Sequence, residues 1–249
     1  MAARDESTLV LFDVDGTLTP SRLIISPQMK QLLQRLRERV NVGIVGGSDL
    51  PKIEEQLDTK TIGEDYDYVF SENGVVAKLH GENAPAQSVV KFLGEENLQE
   101  LLNFVLRYIA DLKIPKKRGT FIEMRQGMIN ISPIGRGCTH AERLEFFELD
   151  NKQGIRAAMV KALQEKFAHL SMKYSIGGQI SIDVFPIGWD KTFCLTHLEP
   201  GKFKTIHFFG DKTSPGGNDY EIFSHSSVQG HTVLNPDDTA VQLNQLFFK

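Results

Sequence analysis

Two hydrophobic periods run through this chain, and where they change marks its organisation. Thr8–Phe12 is a short apolar run that ends abruptly in a carboxylate at Asp13, the pattern of a strand buried on both faces. Ser26-Pro27 then supplies a hydroxyl N-cap and a proline for a first helical turn. A helix follows to about Arg39, with Met29, Leu32, Leu33 and Leu36 on one face. Val40–Val45 is a second apolar strand closed by Gly46-Gly47-Ser48; a helix through Ile53–Leu57 and a strand at Tyr68–Phe70 come next. The same rhythm returns near the C-terminus, with a helix from Asp190, strands at Thr205–Phe209 and Thr232–Leu234, and a last helix from Asp237. Strands alternating with helices at this spacing predict a parallel α/β sheet.

The middle of the chain has the shorter period. Phe121–Arg125 and Met128–Ser132 flank a Gln126-Gly127 turn and alternate as a hairpin does. Thr139 and Glu142 have the spacing of a capping box that opens a helix to Leu149, and a second helix covers roughly Gly154 to Phe167. In Gln179–Phe185, Ile180, Ile182 and Val184 share one face and Gln179, Ser181 and Asp183 the other. Glu123, Arg125, Asn130 and Ser132 hold the polar positions of the hairpin. These patterns predict an antiparallel sheet with one apolar face covered by helices and one polar face left open. We therefore expect an α/β core from residues 1–83 and 188–249, interrupted by an inserted α+β cap at 84–187.

Composition narrows the function. The chain has 249 residues, 41% hydrophobic and 24% charged, within the range of a soluble globular protein. A net charge of −4 argues against a general nucleic-acid binder. Cys138 and Cys194 are the only cysteines, which suits a reducing compartment. MAARDEST lacks the apolar stretch of a signal peptide, and no run is long enough to span a membrane, so a cytoplasmic protein is expected.

The chemistry lies where the apolar strands end. Asp13 and Asp15 end the first, Ser48 and Asp49 the second, and Gly210-Asp211 another, and the carboxyl ends of strands in an open α/β sheet gather at one edge. Two carboxylates one residue apart repel unless a cation lies between them. Asp13, Asp15 and Asp211 make a hard-oxygen set suited to Mg2+, which also binds phosphate. A calcium loop is excluded, because Gly16 falls two residues early for D-x-[DN]-x-[DN]-G and a strand precedes it. GIVGGS is neither a dinucleotide fingerprint nor a phosphate-binding P-loop. His207, inside a strand, reads as structural, and Lys116-Lys117-Arg118 as a solvated run.

Asp13-x-Asp15-Gly16-Thr17, Ser48, Lys191 and Gly210-Asp211 with Gly217-Asn218-Asp219 resemble, in order, the four motifs of the haloacid dehalogenase superfamily. FDVDGTLT, VGGSD, YVFSENG, PKKRGTFIE, SPIGR, SIGGQISIDVFP, GWDK and FFGDKTSPGGND together resemble the eukaryotic phosphomannomutase family across nearly the whole chain. The resemblance implies a Rossmann-like core with a cap between the second and third motifs. It implies Asp13 as nucleophile, Asp15 as general acid and base, and Ser48 and Lys191 as phosphoryl-binding groups. Mg2+ would sit on Asp13, Asp211 and the backbone carbonyl of Asp15, with Asn218 and Asp219 behind them. Arg22, Arg125, Arg136 and Arg143 match phosphate-contacting positions, and Ser181 and Asp183 match residues that hold the sugar. The implied reaction interconverts mannose 6-phosphate and mannose 1-phosphate through a hexose 1,6-bisphosphate, supplying GDP-mannose synthesis. The alternative is a sugar-phosphate phosphatase of the same superfamily. A homodimer through the cap is also implied, with Leu144, Phe146, Phe147 and Leu149 serving either that interface or the cap core. A further cation site described near Phe223 in the family is not carried over, because Ser224-His225-Ser226 lacks the expected aspartate.

Overall fold

The apolar N-terminal run forms β1 (Asp5–Phe12), whose side chains divide between two cores. Val10 and Phe12 pack with Ile44, Met29, Leu33, Leu36 and Leu243 on one face of the sheet. Leu9 and Leu11 pack with Val45, Phe70, Cys194, Phe208 and Ile222 on the other. A strand with two buried faces has no polar alternation to show, which is why this one reads as a continuous apolar run. The computed structural model describes residues 3–21, 23–85 and 87–248.

After β1 come α1 (Pro27–Arg37), β2 (Val40–Val45), α2 (Leu50–Gln56), α3 (Ile62–Asp65), β3 (Tyr68–Ser71), β4 (Val76–Leu79) and β5 (Glu82–Asn83). The central stretch holds α4 (Val89–Leu93), α5 (Glu95–Asp111), β6 (Ile122–Met124), β7 (Ile129–Ile131), α6 (His140–Gln153), α7 (Ile155–Lys166), β8 (Met172–Gly177) and β9 (Ser181–Pro186). The chain closes with a 3-10 helix at Lys191–His197, then β10 (Thr205–Gly210), α8 (Tyr220–Phe223), β11 (Gln229–Thr232) and α9 (Pro236–Phe247).

Residues 1–86 and 188–249 make one unit and residues 87–187 another. The first carries a sheet in the order β11-β10-β1-β2-β3-β4-β5. Its strands from β11 to β3 are parallel, and β4 and β5 add an antiparallel edge. The predicted cap of α1 is present: Ser26 Oγ accepts from Met29 N at 3.2 Å, with Pro27 in the first turn. The predicted strand at Thr232–Leu234 lies earlier, at Gln229–Thr232; beyond it only Val233 N continues, donating to Gly210 O at 3.0 Å. The helix expected from Asp190 is a 3-10 helix, capped where Asp190 Oδ1 accepts from Thr192 N at 3.0 Å.

The second unit is an antiparallel sheet, β6-β7-β9-β8, with helices. Ile129, Ile131, Ile182 and Val184 of the sheet and Leu101, Val105, Ile109, Met159 and Leu163 of α5 and α7 are all buried. The capping box of α6 has both of its bonds, Glu142 N to Thr139 Oγ1 at 3.3 Å and Thr139 N to Glu142 Oε2 at 2.9 Å. The polar face of this sheet is less open than its alternation suggests. Asn130, Ser132 and Ser181 are buried, and Ser132 Oγ is turned into the local turn, accepting from Gly135 N at 3.2 Å.

Candidate active site

In the first unit the site begins where β1 stops. Asp13 N still donates to Phe209 O at 2.9 Å, so sheet pairing fixes the backbone up to the first carboxylate. The chain then curls around one carbonyl: the N–H groups of Leu18 and Thr19 reach Val14 O at 3.0 Å. Gly16 takes a left-handed φ of +91°, and a Cβ there would lie 2.6 Å from Asp211 Oδ2. The glycine of this turn therefore makes room for a carboxylate brought in from β10.

Asp13, Asp211 and Asp219 each present an oxygen within 4.8 Å of the others. Lys191, 1% exposed, donates to Asp13 Oδ1 and Asp219 Oδ1. Asp219 Oδ2 accepts from Lys212 N at 3.0 Å, which closes the loop after β10. A Cβ at Gly210 would sit 2.6 Å from that same oxygen, and one at Gly217 would sit 2.0 Å from Lys212 O. These contacts explain why the loop is glycine-rich.

Three carboxylates meet one buried ammonium here, and the only other cation on them among the described residues is the exposed Lys212, 3.8 Å from Asp211 Oδ2, so the cluster stays acidic. Burial pushes Asp13 up to about 6 despite the opposing pull of Lys191, with Asp219 and Asp211 adding to the rise. Asp211 is also raised, first by burial. Burial works against the Lys191 ammonium, but the Asp13 and Asp219 carboxylates outweigh it and keep it charged. Asp211 Oδ1 is buried and has no hydrogen-bond partner among the described residues. A buried anionic oxygen without a donor is costly, so an all-oxygen, acidic cluster fits a hard divalent cation.

Asp15 stands apart from that cluster. Its Oδ1 accepts from Gln56 Nε2 at 3.0 Å and its Oδ2 from Ser21 Oγ at 3.3 Å. Ser48 follows β2, the parallel neighbour of β1, and is half-buried. Its carbonyl accepts from Glu72 N at 2.9 Å, and its hydroxyl makes no hydrogen bond among the described residues. The structure thus gathers Asp13, Lys191, Asp211 and Asp219 directly. Asn218 is exposed on the same loop without a side-chain hydrogen bond among the described residues, and Arg22 lies outside the described residues. Gln56 is a site residue with no sign in the sequence, since no local pattern ties it to a carboxylate 41 positions earlier.

The second unit holds a separate polar cluster on its sheet. Glu123 bridges two guanidinium groups, Arg125 Nε and Arg136 Nε, at 2.7 Å each. Arg136 Nη1 also donates to Asn130 Oδ1 at 2.8 Å, and Asn130 Nδ2 donates to Asp183 Oδ1 at 2.6 Å. Burial raises the Asp183 carboxyl, opposed by Asn130 and the two arginines. Arg143, half-buried on α6, makes no side-chain contact with an acid among the described residues. Ser181 is buried, and its carbonyl accepts from Arg156 Nη1 at 3.1 Å. Arg156 is itself buried, paired with Asp150 at 2.7 Å, and donates to the carbonyls of Gly177 and Gly178. Its place in an amphipathic helix gives no hint of that role.

Known proteins share both the sequence and the fold that build this geometry. A family model for eukaryotic phosphomannomutases matches residues 29–249. The chain is 60% identical to a phosphomannomutase of Oryza sativa subsp. indica, over 99% of each chain. It is 58% identical to one of Glycine max over the full length of both, and 57% identical to one of Schizosaccharomyces pombe over 96% of this chain and 94% of the other. Among solved structures, an Aspergillus fumigatus trehalose-6-phosphate phosphatase aligns over 98% of this chain and 94% of its own, with a TM-score of 0.59 and 16% identity. A Streptococcus mutans structure aligns over 97% of this chain and 99% of its own, with a TM-score of 0.66 and 14% identity. At such identities these two likenesses concern the fold alone.

Proposed function

The chain belongs to the eukaryotic phosphomannomutase family and has that family's activity, and from this premise we propose how its residues carry the reaction between mannose 6-phosphate and mannose 1-phosphate. The observation that carries the reading is the buried carboxylate cluster on Lys191, with one Asp211 oxygen left without a donor, beside a second carboxylate, Asp15, held outside it.

Asp13 is the nucleophile. One of its oxygens attacks phosphorus, the bond from phosphorus to the sugar oxygen breaks, and Asp15 delivers a proton to that oxygen. In the return step a sugar hydroxyl attacks the aspartyl-phosphate, its proton passes to Asp15, and the Asp13 carboxylate is released. Starting from a phosphorylated enzyme, either sugar monophosphate becomes a hexose 1,6-bisphosphate. That bisphosphate leaves its other phosphate on Asp13 when it turns around, which makes it both intermediate and activator. Ser48 offers a free hydroxyl and Lys191 a fixed positive charge to the oxygens of the moving phosphoryl group.

Asp13, Asp211 and the Asp15 backbone carbonyl would hold Mg2+, with Asp219 fixing Lys191 and Asn218 near the loop. Bound there, the ion supplies Lewis-acid charge that offsets the repulsion between carboxylate and phosphate. For the phosphate that does not react, we assign Arg125, Arg136 and Arg143, together with Arg22, and for the sugar Ser181 and Asp183. The support is that Arg125, Arg136 and Asp183 already form one hydrogen-bonded cluster, and that guanidinium forks fit phosphate bidentately. The same reading includes a homodimer through the second unit, where Leu144 is 40% exposed. It also includes a cytoplasmic location and the supply of mannose 1-phosphate to GDP-mannose synthesis. Among the described residues no helix is long and apolar enough to cross a membrane.

A coupled assay of mannose 1-phosphate conversion, with and without added hexose 1,6-bisphosphate, tests the scheme. Turnover should depend on the bisphosphate. Rapid release of inorganic phosphate without isomerisation would replace it with a phosphatase.

A further inference from the structure

Gln56 is the last residue of α2 and is almost wholly buried. Its side chain and its backbone act on the same loop. Nε2 donates to Asp15 Oδ1 at 3.0 Å, while its carbonyl accepts from Ile25 N at 2.8 Å. Both ends of the segment from Asp15 to Ile25 are thus tied to one residue. The helix that carries Gln56 is fixed at its other end just after Ser48, where Asp49 Oδ1 accepts from Lys52 N at 3.2 Å. One short helix therefore starts beside the proposed phosphoryl-binding hydroxyl and ends on the proposed proton-transfer group.

The two oxygens of Asp15 have different partners. The Gln56 amide nitrogen can only donate, so Oδ1 is held as an acceptor in either protonation state of the carboxyl. The Ser21 hydroxyl at Oδ2 can donate to a carboxylate or accept from a carboxylic acid. That hydroxyl can follow the gain and loss of a proton at the second oxygen, which the Gln56 amide at the first cannot do.

We propose that Gln56 is a positioning residue for proton transfer, anchoring Asp15 Oδ1 so that Oδ2 is the atom that exchanges the proton with the sugar oxygen. This rests on the role given to Asp15 above. Gln56 touches neither substrate nor phosphorus; it sets the direction in which the carboxyl faces, and misdirected proton transfer loses much of its contribution. Its loss should appear only where the leaving oxygen needs a proton.

The test compares leaving groups. Gln56→Met keeps length and volume and removes the donor; Thr19 Oγ1 keeps its own partner, Val14 O, at 3.3 Å. Gln56→Glu keeps the shape and turns a donor toward Asp15 into an acceptor, which provides a second variant should the first melt early. For each, kcat and KM on mannose 1-phosphate with bisphosphate are measured beside the burst of p-nitrophenol from p-nitrophenyl phosphate, whose leaving group departs as a stable anion. The expected result is a loss of about 10–100-fold in kcat on the sugar phosphate with KM little moved, against a loss below about threefold in the burst. Parallel losses on both substrates, with the parent enzyme isomerising normally, overturn the positioning role. A parent enzyme that forms a burst but never isomerises overturns the wider scheme and this role with it.

Discussion

Gly16→Ala puts the geometry of the carboxylate cluster under direct strain. The residue sits at φ +91°, a region an L side chain enters at a cost of about 1–2 kcal/mol. The added methyl would also stand 2.6 Å from Asp211 Oδ2 and 2.9 Å from its Cγ. To restore an ordinary contact near 3.4 Å, the carboxylate must retreat by about 0.8 Å, and Asp211 has only two side-chain torsions with which to do so. A displacement of about 1 Å in a positioned catalytic group typically costs on the order of 100-fold in rate. The variant should therefore lose roughly 1–3 kcal/mol of stability, about 100-fold in kcat, and show a higher Mg2+ concentration for half-maximal activity. Gly201→Ala separates the two effects, because Gly201 has φ +77° and a methyl added there would meet nothing within 4 Å. It should lose stability through the backbone alone and keep its activity. Thermal melts and kcat measured across a Mg2+ titration read both. A Gly16→Ala enzyme with the parent's kcat and Mg2+ dependence would show that this contact does not set the place of Asp211.

Asp13→Asn should fold normally and trap no labelled phosphate; label retained on the variant would remove Asp13 as nucleophile. Arg156→Met should cost about 3–5 kcal/mol by leaving Asp150 buried without its partner, whereas pairing it with Asp150→Leu should recover much of that loss in urea unfolding. A single-variant cost below about 1 kcal/mol would refute the buried-pair reading. His207 and His231 share a hydrogen bond of 2.9 Å, and burial, then the neighbouring ring, pushes His207 down to about 4. The folded state thus binds fewer protons than the unfolded chain below the ordinary histidine value of 6.5, so stability should be full above it and fall as pH drops toward 4. His207→Gln should flatten that slope in melts between those pH values, and an unchanged slope would assign it elsewhere. Arg143→Ala should impair the sugar phosphate far more than p-nitrophenyl phosphate, and equal losses would speak against its place on the distal phosphate.

What the sequence shows of this protein follows the range of the interactions. The buried strand β1, the Ser26 cap and the Thr139–Glu142 box are local, and their residue types stand next to one another in the chain. Asp13 and Asp211 are legible because each ends an apolar run, which is itself a local signal. The α5 helix is legible as well, because Leu98, Leu101, Val105 and Ile109 recur at helical spacing among polar residues, although our reading of the sequence places no helix there. The strand β8 also alternates, Met172, Tyr174 and Ile176 against Lys173, Ser175 and Gly177, so it too is legible although the same reading places no strand there. Gln56 on Asp15 and Arg156 on Asp150 and the β8–β9 turn are invisible in the sequence, because a buried polar residue announces its partner only through the fold.

The parallel pairing of β1 with β10 has a consequence during synthesis. Phe12 lies beside Phe209, roughly 200 residues later in the chain. At a ribosomal speed of about 5–20 residues per second, the LVLF segment waits some 10–40 seconds for the strand that covers one of its edges. During that interval, even with β2 on its other side, the nascent strand keeps one open apolar edge, the kind of surface that attracts chaperones and aggregation partners. Substitutions that slow translation through the middle segment would lengthen that exposure and lower the yield of folded enzyme while leaving its specific activity intact.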